Sequence, residues 1–461
     1  METATPAPRK EALADNEFSP IAAPPPAEAP PVPVWPHWQR VLFRFFCVYF
    51  VLQIAPWSWF FAIPGARYVL RYYGQSVDWA VRAGNAQFFH VRDTLVRVNG
   101  SGDTSWAWAQ LWLYLSLAAV ACVVWTIVDR KRTEYERPAF WLRMIVRFYV
   151  ARAALSYGII KLFLLQMPFP QLSQLATPLG DLLPMRFSWL FIGYSAPYQF
   201  FSGAMEATAG VLLLYRRTVT AGLFVATGAF MNVVMINLAY DVPVKLYASH
   251  LLFSCLFLLA LDWKRLLGFL VLNTGARPTA AYTPKFSVPW RRWGAVAVKV
   301  FIVYQFALLP LQAGWRGYHA SKAAMGPGPF TPGVYDVRRY VVNRDTVPVS
   351  SGDTLRWKDV IFDTRGAGSV NTADQVFWQR YRRGYFRFRP DTIAHTVAVW
   401  KTSAIPDSTF LFTMRYELPD TNTIRLHTVI RGDSVHVELV RTARQFQLAE
   451  RQFHWLSEYN R

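Results

Sequence analysis

Seven long apolar stretches constrain the fold of this 461-residue chain more than any other feature of its sequence. Each stretch is long enough to cross about 30 Å of hydrocarbon as a helix that rises about 1.5 Å per residue. They lie near residues 41–63, 107–128, 141–165, 190–214, 219–240, 246–266 and 293–313. Because 53% of the residues are hydrophobic and only 17% are charged, we expect an α-helical polytopic membrane domain over residues 37–314 rather than a soluble or disordered chain.

Two segments in the N-terminal part do not fit a membrane span. Residues 1–36 contain ten prolines and many alanines, a composition that cannot bury a core and predicts a disordered tail. Residues 64–106 interleave aromatic and arginine side chains, which predicts amphipathic helices lying in the interface of the outer leaflet. This outer loop ends in a turn at 99–104, where Thr104 is placed to cap the helix of the second span.

The C-terminal part has a different pattern. Residues 315–334 are rich in Gly and Pro and predict a linker. From residue 335 to 440, short runs alternate apolar and polar residues and are separated by turn signals, which is typical of β-strands. We therefore predict an all-β soluble domain over 335–461, either a sandwich or a partial barrel, with one closing helix at 442–457.

The distribution of basic residues predicts the orientation. Lys and Arg are concentrated in the connections after the second, fourth and sixth spans, and such connections face the cytoplasm. The N-terminus is then cytoplasmic, and the β domain lies outside a bacterial inner membrane. We attribute the net charge of +20 to contact with an anionic lipid bilayer and not to nucleic acid, because no nucleic-acid-binding motif accompanies it.

Several ionisable and amide residues lie within the spans, where they are costly unless they face the bundle interior. Their depths predict a structural ion pair between Arg152 and Glu206 near the midplane, with Asn232 nearby. The candidate ligand-binding residues, mostly in the outer third, are Lys161, Glu206, Asn237, Asp241, Lys245 and His250. Two interpretations remain open: a polar pocket open to the outside that holds a quinone head group or a small anion, and buried polar contacts that only fix the helix register.

Other cofactors are poorly supported by the sequence. His250 is the only histidine within a predicted span, whereas a membrane haem usually needs two at matched depth. No His and carboxylate residues occur at metal-ligand spacing, so no metal is expected. The three cysteines, Cys47, Cys122 and Cys255, lie apart in apolar segments and are predicted to be buried free thiols. The catalytic residues, if there are any, are not identified by a motif.

Three stretches carry a resemblance to a known family. They are 152–162, which runs from Arg152 to Lys161 and Leu162, then 206–217, which begins with Glu206 and ends in Arg216-Arg217, and 237–259. Over residues 140–265 the chain resembles the DoxX-like membrane proteins, as a large bacterial member with extra spans and an external β domain. That family includes a small subunit of thiosulfate:quinone oxidoreductase, so the resemblance implies a quinone-facing role in a membrane redox system.

Two alternatives differ in class, and the sequence does not decide whether the protein is an enzyme. In the first, the protein is a structural or assembly factor whose external β domain recruits another membrane or periplasmic protein. In the second, it is a membrane enzyme that resembles the vitamin K-dependent carboxylase-like (HTTM) proteins in architecture, with Lys161 or Lys245 as a base.

Overall fold

A computed structural model describes a helical domain followed by a β barrel. The described residues are 34–274, 282, 284, 288–323, 328–349, 356–402, 410–450 and 455–456. The tail predicted to be disordered therefore lies almost entirely outside them.

The helical domain contains twelve α-helices within the described residues. They are α1 (His37–Ile54), α2 (Ala66–Gly84), α3 (Ser105–Val128), α4 (Glu136–Leu162), α5 (Leu172–Leu175), α6 (Pro184–Tyr194), α7 (Ala196–Leu214), α8 (Val219–Ala239), α9 (Lys245–Ala260), α10 (Trp263–Leu270), α11 (Pro289–Val303) and α12 (Leu309–Ala323).

Four of these helical segments are long and apolar enough to cross a membrane: 37–60, α3, α8 and 289–322. The pair α9 and α10 makes a fifth if it counts as one span bent by 78°. The described residues thus support a membrane protein, but the seven-span prediction is not confirmed. Helices α4 and α7 lie within predicted spans, near 141–165 and 190–214, but they are less apolar than the four segments above. Helix α4 lies at the centre of the domain, where it packs against α1, α7 and α9.

Two predicted spans are interrupted. The stretch 190–214 breaks at Ser195, whose hydroxyl accepts from the backbone N–H of Tyr198 and so caps α7. The stretch 246–266 bends after Ala260, where α10 turns away from α9. As predicted, Thr104 caps α3 by accepting from the backbone N–H of Ala107 at 3.3 Å.

The last span is longer than predicted. Pro310 does not end the helix, because a π turn at Tyr304–Leu308 widens the backbone just before it. A proline within a helix removes one hydrogen bond and crowds the carbonyl four residues earlier, and here that residue is Phe306, inside the π turn. The helix continues to Ala323, so the linker predicted at 315–334 is largely helical in its first half.

Small residues hold α4 and α7 close together. A Cβ atom added to Gly158 would lie 2.5 Å from the backbone nitrogen of Ala207, and one added to Gly203 would lie 2.7 Å from Cβ of Lys161. Gly210 is equally tight against Leu155. Such small-residue contacts bring membrane helices to within backbone distance of each other.

The two ends of the helical domain can be told apart by their contacts. At the end that carries the barrel, the backbone N–H of Gly102 donates to the carbonyl of Pro243 at 2.7 Å, so 99–104 and 240–245 lie together. At the opposite end, Trp35 donates its backbone N–H to Thr133 at 3.0 Å. We call these the barrel end and the far end.

The β domain is built from ten strands within the described residues. They are β1 (Gly333–Val342), β2 (Asp345–Thr346), β3 (Asp359–Phe362), β4 (Ala367–Val370), β5 (Trp378–Arg380), β6 (Arg383–Asp391), β7 (Thr396–Lys401), β8 (Phe410–Glu417), β9 (Thr423–Ile430) and β10 (Asp433–Arg441). Of the predicted closing helix, the described residues show the short α13 (Gln447–Glu450), and part of 442–457 lies outside them.

Eight of the strands close into an antiparallel up-and-down barrel. The ring runs β1, β3, β4, β6, β7, β8, β9, β10 and returns to β1. The closing pair, β1 with β10, sets Tyr335 opposite Arg441 and Val342 opposite Val435. The domain is thus a complete barrel and not the sandwich or partial barrel that we expected. Its interior is packed with apolar side chains and leaves a cavity of only about 10 Å³, as in small barrels that are filled by their own side chains.

The barrel is joined to the helical domain by a buried polar contact. Asp363, after β3, accepts hydrogen bonds from the backbone N–H groups of Leu172 and Ser173 at 2.8 and 3.3 Å, and a further one from the Ser173 hydroxyl. Ala176 packs against Ile361 beside this contact. A barrel carboxylate therefore binds the first turn of α5.

Candidate functional site

A buried ion pair lies in the barrel-end half of the helical domain. Lys161 on α4 donates from Nζ to Oε1 of Glu206 on α7 at 2.5 Å. The two residues are 5% and 2% exposed. Oε2 of the same carboxylate is buried and has no hydrogen-bond partner among the described residues. A buried acceptor without a donor costs about 1–3 kcal/mol, so this oxygen is a natural position for a ligand hydroxyl.

This pair replaces the predicted pair of Arg152 with Glu206. Arg152 and Lys161 are nine residues apart on α4, which places them on opposite faces of the helix, since nine residues at about 100° each make two and a half turns. Arg152 is exposed and lies over the ring of Phe306 at 5.9 Å. Asn232 is exposed on α8, so the predicted grouping of Arg152, Glu206 and Asn232 is wrong.

Three tyrosines form a cluster between α4 and α9, and one of them lies beside the ion pair. Tyr157 precedes Lys161 by one turn of α4 and is close enough to Glu206 to feel its charge. Its ring lies 6.1 Å from that of Tyr247 on α9, and Tyr149 lies 6.4 Å from Tyr247 on the other side. Tyr157 and Tyr247 are each 37% exposed, and within the described residues their hydroxyls form no hydrogen bond. Tyr157 thus offers a phenol donor near Glu206, and Tyr247 offers a second one on the neighbouring helix.

His250 belongs to the same face of α9 as Tyr247 but points toward α1. Its Nδ1 donates to the carbonyl of Leu246 at 2.9 Å, and its Nε2 accepts from the hydroxyl of Tyr49. The carbonyl contact places the proton on Nδ1 and leaves Nε2 as the acceptor. The rings of Tyr49 and His250 are stacked with centroids 5.9 Å apart. His250 therefore extends the tyrosine cluster and does not touch Lys161 directly.

The other predicted site residues organise the turn between α8 and α9. Asn237 is buried and donates from Nδ2 to the carbonyl of Val244 at 3.4 Å. Lys245 pairs with Asp241 at 2.7 Å and lies 3.7 Å from Asp103. Asn237, Asp241 and Lys245 thus form a structural turn, and the predicted convergence of all six residues is not observed.

Sequence reasoning missed the tyrosines and Asp103. Tyr49, Tyr149, Tyr157 and Tyr247 were counted as apolar parts of their spans. Two signals could have found them: Tyr157 precedes Lys161 by four residues and Tyr247 precedes His250 by three, so each pair shares a helix face. Asp103, from the distant connection before α3, accepts from the backbone N–H groups of Lys245 and Leu246 at 2.8 and 2.9 Å. It therefore caps α9, which no local pattern indicates.

The site contains hydrogen-bond donors and acceptors from Lys161, Glu206, Tyr157 and Tyr247. In the part of the chain that the structure describes, no three His, Cys, Asp or Glu side chains are placed to hold a metal ion. The cysteines are free thiols, but only Cys122 and Cys255 are buried as predicted, whereas Cys47 is partly exposed. The arrangement is suited to a small neutral ligand that has both carbonyl and hydroxyl character, because phenols can donate to the former and Glu206 can accept from the latter.

Comparison with known proteins gives limited guidance. No protein-family model matches the chain. It is 37% identical to the uncharacterized protein YwoB of Bacillus subtilis (strain 168) over 81 residues, which are 18% of this chain and 53% of that protein. The chain thus spans about half the length of this relative. No solved structure matches.

Proposed function

We propose that the protein binds the head group of a lipid-soluble quinone at the barrel end of its helical domain, as the quinone-binding subunit of a membrane redox system. The observation that carries this proposal is the unpaired Oε2 of Glu206 near Tyr157, whose ring lies 6.1 Å from that of Tyr247. Most buried polar atoms in folded proteins have a hydrogen-bond partner, so an unpaired carboxylate oxygen in a buried ion pair calls for a donor, which a ligand can supply.

The chemistry of the two redox forms fits these groups. A quinone offers two carbonyl acceptors, to which Tyr157 and Tyr247 can donate. A quinol offers hydroxyl donors, one of which can bind Oε2 of Glu206, while the hydrogen bond from Lys161 holds the carboxylate in place. Exposed Ile160, next to Tyr157, offers apolar surface for an isoprenoid tail.

The resemblance to DoxX-like proteins over 140–265 supports the same role. The orientation that we propose places this site in the outer leaflet of a bacterial inner membrane. It is supported by the basic connections near 130–137, 216–217 and 264–265, all of which belong to the far end, opposite the barrel. The far end is then cytoplasmic and the barrel external.

Binding of a short-chain quinone tests the proposal. The full chain in phosphatidylcholine nanodiscs is titrated with decylubiquinone and the Kd is measured by microscale thermophoresis. We expect the Tyr157→Phe, Tyr247→Phe double variant to bind about tenfold more weakly or worse, because two hydrogen bonds of about 1 kcal/mol each are lost. Tyr198→Phe is the matched control, since Tyr198 is an exposed tyrosine on α7 that packs on Phe191 away from the pair. No binding, or equal binding by all forms, contradicts the proposal.

A second candidate function is favoured by the filled barrel. Because its interior leaves about 10 Å³, the barrel acts through its outer surface, as expected of a module that recruits a partner protein. Ile393, which is 92% exposed in the turn after β6, is a suitable position for a photo-crosslinking residue in cells. A second crosslinking residue is placed at exposed Val429 on β9. A discrete cross-linked protein supports the assembly role, and the absence of any cross-linked protein at both positions contradicts it.

The carboxylase-like alternative finds less support. It needs a neutral lysine as a base, but Lys161 is paired with Glu206 and Lys245 with Asp241. Neither lysine can therefore act on a substrate without first leaving its carboxylate partner.

A further inference from the structure

A second polar site lies at the far end of the helical domain, where a cavity of about 240 Å³ opens. Its walls are formed by the first turns of α4, the start of α8, the end of α9 and the bent helix α10. The polar residues that line it are Arg143, Arg147, Arg216, Thr220, Asp262 and Arg265. Apolar walls are provided by Leu223, Leu258 and Leu266.

The charges in this cavity are unbalanced. Four arginines face one carboxylate, Asp262, which lies 3.5 Å from Arg265. Among the described residues, no carboxylate is within ion-pairing distance of Arg143, Arg147 or Arg216. Arg147 and Arg216 are close enough to repel each other. Like charges in a partly apolar cavity are unfavourable unless an anion lies between them.

Two of the four arginines are fixed by hydrogen bonds to the protein, whereas Arg216 is exposed at the cavity rim. Arg147 is only 9% exposed and donates from Nε to the carbonyl of Leu213, in the last turn of α7, at 2.5 Å. Arg265 donates from Nη2 to the hydroxyl of Thr220 at 2.8 Å. The two guanidinium groups are thus held by the protein at the cavity wall, which is the pre-organised state that an anion-binding site requires.

We propose that this cavity binds a phosphate-bearing anion. Phosphate oxygens match the planar fork of a guanidinium group, so several arginines around one cavity favour phosphate over a simple halide. The apolar wall opposite the arginines accommodates the organic part of a phosphate ester. Two sources share this chemistry: the head group of an anionic phospholipid and a soluble phosphate. Because the cavity is at the far end, remote from Glu206, this site is independent of the proposed quinone site.

Two arms separate the sources. In the first, the full chain in nanodiscs of pure phosphatidylcholine is titrated with inorganic phosphate at constant ionic strength, and the shift in the midpoint of thermal unfolding is measured. In the second, the protein is released from nanodiscs with equal phosphatidylcholine and phosphatidylglycerol, and native mass spectrometry measures which lipid it retains. A shift in the first arm identifies a soluble phosphate, and retention of phosphatidylglycerol in the second identifies a lipid head group.

Matched variants locate the effect. Arg216→Gln removes one cavity charge and is expected to weaken binding about tenfold. Arg217→Gln removes an equal charge from the neighbouring exposed residue, which does not line the cavity, and is expected to leave binding within about twofold. Asp262→Asn is expected to strengthen binding, because it removes the only carboxylate in the described lining and releases Arg265. Thermal unfolding without ligand checks that each variant folds.

The outcomes are decisive in either direction. Weaker binding by Arg216→Gln together with stronger binding by Asp262→Asn establishes the site. The absence of both a thermal shift with phosphate and retention of phosphatidylglycerol contradicts the proposal. An equal effect of Arg216→Gln and Arg217→Gln also contradicts it, because binding would then depend only on the overall surface charge. If Arg216→Gln does not fold, Asp262→Asn alone still tests the proposal, because unchanged or weaker binding by that variant contradicts it.

Discussion

Lys161 and Glu206 meet across α4 and α7 at 2.5 Å, although 45 residues separate them in the chain. The glycines at 158 and 203 let the two helices approach closely enough for this contact. One carboxylate oxygen remains without a donor among the described residues. The ion pair thus combines a structural role with an unused acceptor, and the two can be tested separately.

Removing one partner of the pair is expected to be more damaging than removing both. Lys161→Met leaves a buried carboxylate without its cation, which typically costs about 3–5 kcal/mol. The double variant Lys161→Met, Glu206→Met leaves no buried charge and should regain most of that stability. Thermal unfolding of the single and double variants in one detergent measures this difference. Losses that simply add in the double variant would show that the two residues are not coupled.

The close approach of α4 and α7 predicts a clear effect of a single methyl group. Gly203→Ala places a Cβ atom 2.7 Å from Cβ of Lys161, so the helices must separate, at a cost of about 1–3 kcal/mol. Gly228→Ala on α8 is the control, because nothing lies within 4 Å of its added Cβ. Thermal unfolding should show a lower midpoint for the first variant only. Equal midpoints would mean that the interface can relax around an added methyl.

One carboxylate of the barrel accounts for the hydrogen bonds that hold the first turn of α5. Asp363→Ala removes the acceptor for three donors of Leu172 and Ser173. We expect amide exchange at 172–177 to become at least about tenfold faster, since a buried donor without an acceptor costs about 1–3 kcal/mol. Asp391→Ala removes two turn contacts within the barrel, to Ile393 and Ala394. It should change exchange locally and leave 172–177 unaffected.

Acid is expected to loosen α2 from the start of α3. The hydrogen bond from Arg97, with further bonds from Arg82 and Trp106, lowers the pKa of Asp78 from 3.8 to about 2. A carboxylate whose pKa is lower in the folded state stabilises it above the unfolded pKa, and this contribution disappears as the pH falls from about 4 to about 2. Amide exchange of 78–97 against pH should show this transition, and Asp78→Asn should abolish it. The same transition in both forms would assign it to another group.

The sequence predicts the positions of individual strands better than it predicts which strands pair with each other. The alternation of apolar and polar residues predicts a strand at 423–430, where β9 is found. In a half-buried strand, successive side chains point to opposite faces, so every second residue is apolar. Closure of the ring depends on β1 meeting β10 about a hundred residues later, which no local pattern encodes. The sandwich and the partial barrel therefore remained equally compatible with the alternation.

The candidate site was predicted in part for a similar reason. Polarity within an apolar span marked Lys161, Glu206 and His250, and all three lie in or beside the tyrosine cluster. Depth alone suggested Arg152 as the partner of Glu206, but depth does not specify the face of the helix, and the angular separation of Arg152 and Lys161 decides between them. The tyrosines do not stand out in the sequence because an aromatic ring fits a hydropathy pattern even when its hydroxyl is free to form a hydrogen bond.

Closure of the strand ring limits how the external domain can meet another protein. Each of its eight members has a neighbour on both sides within the described residues. An incoming peptide can therefore extend the sheet only at short stretches, such as the outer edges of β2 and β5. Elsewhere, recognition must rest on the outward side chains and on the exposed turns. The same property protects the domain from edge-to-edge aggregation with copies of itself.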